Sequence, residues 1–138
     1  MLLVSTMSSE RIMPCAACEV QKLIGAVNAA CFDLNGACTG FLLALNTAQA
    51  YLGQQIYRRA LVIGSETLSH LTNWQDRSTC VLFGDGAGAV VLEAEESATY
   101  IQATHSIGNG GKALTCDSRN QPEYATKKPD FSSTYMRM

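Results

Sequence analysis

Residues 28–53 read NAACFDLNGACTGFLLALNTAQAYLG, and the run divides at Asn35-Gly36. Before the division, Asn28–Leu34 is short and apolar, the pattern of a buried strand. Gly36 supplies a tight turn. After it, Thr39–Leu52 has the length and composition of a helix, ended by Gly53. No charged residue occurs from Leu34 to Tyr57. A bilayer span needs roughly 20 predominantly apolar residues. Asn35, Thr39, Asn46, Thr47, Gln49, Gln54 and Gln55 would be penalised in hydrocarbon, so the expectation is a helix inside a soluble protein, not a membrane segment. It is apolar nearly all round, which predicts cover on every side.

Working outward, Met1–Thr6 reads as a strand. Pro14 opens a helical pattern in which Ala16, Val20, Leu23 and Ile24 recur at helical spacing and Gly25 is the stop. Downstream, Arg59–Gly64 contains Leu61-Val62-Ile63, a second buried-strand signal. Strand, helix, strand, helix, strand implies crossover connections and a largely parallel sheet, hence an α/β fold. Glu66–Arg77 reads as polar loop with a short helical turn. Ala89–Ala94 and Tyr100–Ser106 read as two more strands. Beyond Gly108, the residues Gly110, Gly111, Ser118, Asn120, Pro122 and Pro129 punctuate a polar stretch without periodicity.

A chain of 138 residues suits one domain rather than two. With 47% apolar and 16% charged residues it can build a core. A net charge of −2 and 7% aromatic residues argue against a nucleic-acid partner. The six cysteines (Cys15, Cys18, Cys31, Cys38, Cys80 and Cys116) follow no secretory or membrane-anchoring signal, so the expectation is reduced thiols and a cytoplasmic protein.

Cys38 is the most informative thiol. It follows a strand and a glycine turn and opens the long helix, near the positive end of the helix dipole. Such a site favours the thiolate, and the turn offers N–H groups that could stabilise an oxyanion. A small buried hydrophobe is the competing reading of any free cysteine, and position alone does not choose between the two. Gly84-Asp85-Gly86-Ala87-Gly88 lacks the third glycine of a dinucleotide loop and the Lys-Ser/Thr ending of a P-loop, so it reads as a turn allowing close backbone packing. Cys15-x-x-Cys18 has no second ligand pair for zinc, and His70 and His105 are isolated, so no metal site is expected. A redox role would be consistent with the helix start that follows, and the residues alone leave that reading open beside structural thiols. Glu66 and Asp76 read as turn or capping residues.

The segment Asp33-Leu34-Asn35-Gly36-Ala37-Cys38-Thr39-Gly40-Phe41 resembles the nucleophile motif of the β-ketoacyl-acyl carrier protein synthase III family. Four more segments resemble the same family in the same order: Pro14-Cys15-Ala16-Ala17-Cys18, Ala60–Glu66, Trp74–Thr79 and Phe83–Ala89. The resemblance covers residues 1 to 107 and implies a thiolase-like fold, mostly its N-terminal half, with a mixed or parallel sheet and a buried nucleophile helix. Residues 108–138 would be a polar, loop-rich connection.

The resemblance also implies an acyltransferase of fatty-acid biosynthesis. Cys38 would take an acyl group from acetyl-CoA, and malonyl-acyl carrier protein would then lose carbon dioxide and condense with it. It implies that Arg77 holds the nucleotide end of CoA and that Leu68 and Phe83 line an acyl pocket. Met13 would reach the pocket of a neighbour in a homodimer. The partners expected are acyl-CoA, an acyl carrier protein and a second copy, with no cofactor beyond the substrates. The family's decarboxylating histidine and asparagine match nothing here, so an incomplete enzyme, able to load an acyl group but not to condense it, is the expectation. A fragment that only dimerises, or a related polyketide- or quinolone-type condensing enzyme, is the alternative.

Overall fold

The computed structural model describes residues 1–111, 113–117 and 134–137. The punctuating residues Ser118, Asn120, Pro122 and Pro129 lie outside the described residues. Two compact units are present: Met1–Glu66 with Gly86–Ala103, and Thr67–Asp85 with Thr104–Met138.

The first unit is built on a sheet of four strands: β1 (Leu2–Ser5), β2 (Cys31–Leu34), β3 (Arg59–Thr67) and β4 (Asp85–Glu93), in the order β2-β1-β3-β4. β1 pairs in parallel with both neighbours, Leu3 opposite Phe32 on one side and Val62 on the other. β4 ends where β3 begins, because the Ala94 N–H donates to the Arg58 carbonyl (2.8 Å), so that pair runs antiparallel and the sheet is mixed. Two helices supply the crossovers, α1 (Ala16–Ile24) and α2 (Gly40–Gly53).

Strand side chains alternate between faces. Leu3, Ala60 and Val62 pack with Ala44, Ala48 and Leu52 of α2. Leu2 and Val4 pack with Ala17 of α1, with Leu61 and Ile63 beside them. The sheet is therefore the middle of three layers, and β1, buried on both faces, reads as an unbroken apolar run. Truncating the fully buried Leu3 to alanine would cost about 2–5 kcal/mol.

α1 starts after Cys15 and ends at Gly25, whose φ of 70° is the left-handed stop expected for it. Its first turn is capped from a distance: the Asp33 carboxylate on β2 accepts from the N–H groups of Ala16 and Ala17, both at 2.8 Å. In α2, Gly40, Ala44, Ala48 and Leu52 form the buried stripe, one residue per turn, and the small side chains let the helix lie close on the sheet.

Several expectations are corrected. α2 is not covered on every side, since Leu42 on its other face is 57% exposed. The strand before the turn begins at Cys31, not Asn28, because Ala26–Ala29 is occupied by turn hydrogen bonds that end α1. Gly86–Gly88 belong to β4 and not to a turn, and a β-carbon on Gly84, Gly86 or Gly88 would meet nothing within 4 Å, so close backbone packing is not their purpose. Glycine and alanine carry too little hydrophobic contrast to show a strand's alternation. Tyr100–Ser106 is irregular: Ile101 is exposed, and the Tyr100 hydroxyl donates to Asn46 Oδ1 on α2 (2.5 Å) in place of a strand ladder.

The second unit carries a 3₁₀ turn at Leu68–Leu71, the short helical turn expected after Glu66, and an isolated antiparallel bridge between Thr115 and Arg137. Among its described residues, Thr72, Thr79, Thr134 and Met136 are buried.

Candidate active site

Cys38 lies in a single 3₁₀ turn, Ala37–Thr39, that runs directly into α2. Of the six cysteines, none of them in a disulfide, it alone is exposed, so the buried-hydrophobe reading does not hold for it. The turn is made by its neighbours. Asn35 Oδ1 accepts from the Ala37 N–H (3.3 Å), an Asx turn. The Gly36 carbonyl accepts from both the N–H (3.1 Å) and the hydroxyl (3.0 Å) of Thr39. Ala37 itself sits at φ 45°, in the left-handed region that costs an L-residue roughly 1–2 kcal/mol.

Two glycines are required by packing rather than by φ. A β-carbon on Gly36 would come within 2.7 Å of Leu43 Cδ1 and 2.9 Å of the Gly40 backbone. One on Gly40 would collide with Ser5 Oγ at the end of β1. Gly64, on β3, leaves room for the Phe41 ring, 3.3 Å from its hypothetical β-carbon. The turn is thus folded down on α2, and α2 on the sheet, with the sulfur facing outward.

The loop that leaves β1 is tied to the end of β3. Glu66 accepts from the Met7 N–H (3.0 Å) and the Ser8 hydroxyl (2.5 Å). The contact is a long-range brace for the loop leading to Met13, which is 83% exposed. Sequence reasoning classed Glu66 as a turn or capping residue and passed over Asp33.

Leu68, Arg77 and Phe83 belong to the second unit, and Cys38 and Met13 to the first. Leu68 and Phe83 are half-buried and Arg77 is exposed. Arg77 follows a carboxylate that shapes its loop: Asp76 accepts from the Ser78 N–H (3.0 Å) and hydroxyl (2.7 Å), which hold its carboxyl below the ordinary value. Asp85 is lowered likewise by the Ser69 N–H (2.8 Å) and hydroxyl (2.7 Å), and so anchors the turn that carries Leu68. A cleft of about 620 Å³ in the first unit is lined by Leu52, Gly53, Tyr57, Arg58 and Glu95. It lies at the far end of α2, roughly 20 Å along the helix from Cys38, and contains none of the expected site residues. Among the described residues no group of three or more His, Cys, Asp or Glu is arranged to hold a metal ion. Among the described residues no helix is long and apolar enough to cross a membrane.

A mixed sheet between two helices, with an exposed cysteine on the turn entering the inner helix, is the architecture of a thiolase-like domain. Known proteins agree. The profile of 3-oxoacyl-[acyl-carrier-protein] synthase III matches residues 32–110. The chain is 47% identical over 133 residues to the beta-ketoacyl-[acyl-carrier-protein] synthase III of Clostridium novyi, covering 95% of this chain and 41% of that protein. The crystal structure of the 3-oxoacyl-[acyl-carrier-protein] synthase III of Aquifex aeolicus superposes with a TM-score of 0.82 at 36% identity, over 99% of this chain and 41% of the other. The synthase III of Thermus thermophilus gives 0.84 at 29% identity, over 99% and 42%. The chain belongs to the 3-oxoacyl-[acyl-carrier-protein] synthase III family, a family of acyl-transferring condensing enzymes, and spans about two fifths of the length of these relatives.

Proposed function

We propose that this chain carries the acyl-loading machinery of a β-ketoacyl-acyl carrier protein synthase III, an acyltransferase that starts fatty-acid synthesis. The observation that supports it most is the exposed Cys38 on a strained turn at the amino end of α2. The Cys38 thiolate attacks the thioester carbonyl of an acyl-CoA, acetyl-CoA in the simplest case. A bond forms from Sγ to the acyl carbon, the bond from that carbon to the CoA sulfur breaks, and the CoA thiolate leaves to take up a proton. Negative charge on the tetrahedral oxygen is stabilised by N–H groups at the turn, that of Cys38 among them, and by the helix dipole. In the second half-reaction, malonyl-acyl carrier protein loses carbon dioxide and its carbanion attacks the acyl carbon, releasing Cys38. That step calls on the family's histidine and asparagine, which no residue of this chain matches, so the chain loads but does not condense.

Arg77 is assigned to the CoA nucleotide, Leu68 and Phe83 to the acyl pocket, and Met13 to the pocket of a second copy in a homodimer. The thiolase-like domain takes residues 1–107, with 108–138 as a connection. A cytoplasmic location and no cofactor beyond the thioester substrates complete the reading.

Incubation with radiolabelled acetyl-CoA tests it. Label retained on Cys38, and lost in Cys38→Ala, is expected. Retention of label in that variant would overturn the loading step, and β-ketoacyl product made from malonyl-carrier protein by this chain alone would overturn the limit on condensation.

A further inference from the structure

Cys15 and Cys18 stand at the amino end of α1 and take no part in the chemistry assigned to Cys38. Cys15 is the residue before the helix, in an extended conformation, and Cys18 lies in the first turn. Their sulfurs are 3.3 Å apart, within hydrogen-bond distance of one another. Both are half-buried and neither is in a disulfide. Sulfurs already 3.3 Å apart need to approach by little more than about 1 Å to reach a disulfide bond length. The nearest competitor is Cys31 on β2, which is also within hydrogen-bonding reach of Cys18 and whose own thiol donates to the Ala29 carbonyl (3.3 Å).

We propose that Cys15 and Cys18 form a redox modification site that exchanges with a low-molecular-weight disulfide and closes reversibly to an intrahelical Cys15–Cys18 bridge. Cys15 Sγ attacks one sulfur of the external disulfide. The Cys15–S bond forms, the external S–S bond breaks, and one thiolate leaves to take up a proton. Cys18 Sγ, once deprotonated, then attacks Cys15 Sγ and expels the second thiolate. The two cysteines lose two electrons and two protons, and the external disulfide is reduced to two thiols.

The order of attack follows from the contacts. Hydrogen bonding with Cys15, then burial and the nearby Cys31 and Asp33, push the Cys18 thiol up to about 11, so Cys18 keeps its proton at the outset. The largest of those causes disappears when the Cys15 sulfur enters a mixed disulfide, and Cys18 is then released to close the bridge. Asp33 holds Ala16 and Ala17, the two residues between the cysteines, in helical register while this happens.

The full chain, equilibrated in glutathione redox buffers, quenched with iodoacetamide and digested with trypsin, tests the site. Cleavage after Arg11 and Lys22 isolates both cysteines in one peptide and leaves Cys31 and Cys38 in another. The expected result is an unalkylated peptide 12–22 lighter by two hydrogens, restored by dithiothreitol. In Cys18→Ser, Cys15 should accumulate as the mixed glutathione disulfide. The bridge should also form at least about tenfold more favourably in buffer than in concentrated urea. Three outcomes overturn the proposal: both thiols remaining alkylated in oxidising buffer, a cross-link from peptide 12–22 to Cys31, or equal formation in buffer and urea, which would make the bridge a property of the unfolded sequence. None of these bears on acyl loading at Cys38, so the two readings fail separately.

Discussion

The Ser5 hydroxyl occupies the space in which a β-carbon on Gly40 would have to stand. β1 and the first turn of α2 are thereby matched atom to atom, directly behind the cysteine turn. Gly40→Ala should destabilise the chain by about 1–3 kcal/mol, the usual cost of overpacking. Ser5→Gly in the same molecule should restore most of it, because the collision has a single named partner. Urea midpoints of the two single variants and the double variant measure the coupling.

Asp33 spans two layers of the fold, from β2 to the start of α1. Asp33→Ala removes the acceptor for two helix-end N–H groups at once. A loss of about 1–2 kcal/mol is expected, read by urea unfolding. Asp33→Asn, which keeps an acceptor oxygen, should recover part of that loss.

Asp76 and Asp85 carry the acid-side prediction. Both carboxyls lie below their ordinary value of 3.8, held there chiefly by hydrogen bonds from Ser78 and Ser69. A group with a depressed folded-state pKa contributes stability that is complete above the unfolded value and lost as pH falls through the folded one. Order in the second unit should therefore hold down to about pH 4 and decline below it. The single tryptophan, Trp74, reports on this loop by fluorescence. Asp76→Asn should weaken the acid dependence while leaving the neutral-pH emission nearly unchanged.

Exposure separates Cys38 from the other thiols. Substoichiometric iodoacetamide at neutral pH should label Cys38 several-fold ahead of Cys80 or Cys31, as peptide mass spectrometry would record. Prior incubation with acetyl-CoA should protect Cys38 alone. Equal labelling of all six would contradict the proposed nucleophile.

Glu66 offers a longer-range test. Glu66→Ala removes the acceptor for Met7 and Ser8 and should speed amide exchange at Met7, with a stability loss of about 1–2 kcal/mol. Hydrogen-exchange mass spectrometry localises the change.

What was legible in the sequence was local. The strand, glycine turn, cysteine and helix occupy consecutive residues, and Gly25 stops α1 where the pattern places it, while α2 runs through Gly53 to a cap at Gln54. What was illegible depends on partners far along the chain. Asp33 caps a helix that begins 17 residues earlier, and no nearby residue advertises it. Glu66 braces a loop some 60 residues upstream. The second half of β4 was legible as the strand Ala89–Ala94, but its start escaped notice because Gly86-Ala87-Gly88 has no apolar alternation, and the strand state there comes from pairing with β3. Conversely, Tyr100–Ser106 has strand-forming residues but no ladder. The exposed side of α2 shows the limit of composition: an apolar helix states what it could bury, not what this length of chain supplies to bury it.

The left-handed Ala37 has an evolutionary corollary. Glycine at this position would relax the backbone and, on stability alone, ought to be the fitter choice. It would also let the peptide plane swing, and the thiol would sample many directions instead of one. A laboratory selection for thermal robustness would thus be drawn toward Ala37→Gly, and a selection for acyl loading away from it, so the two pressures could be pulled apart at one codon.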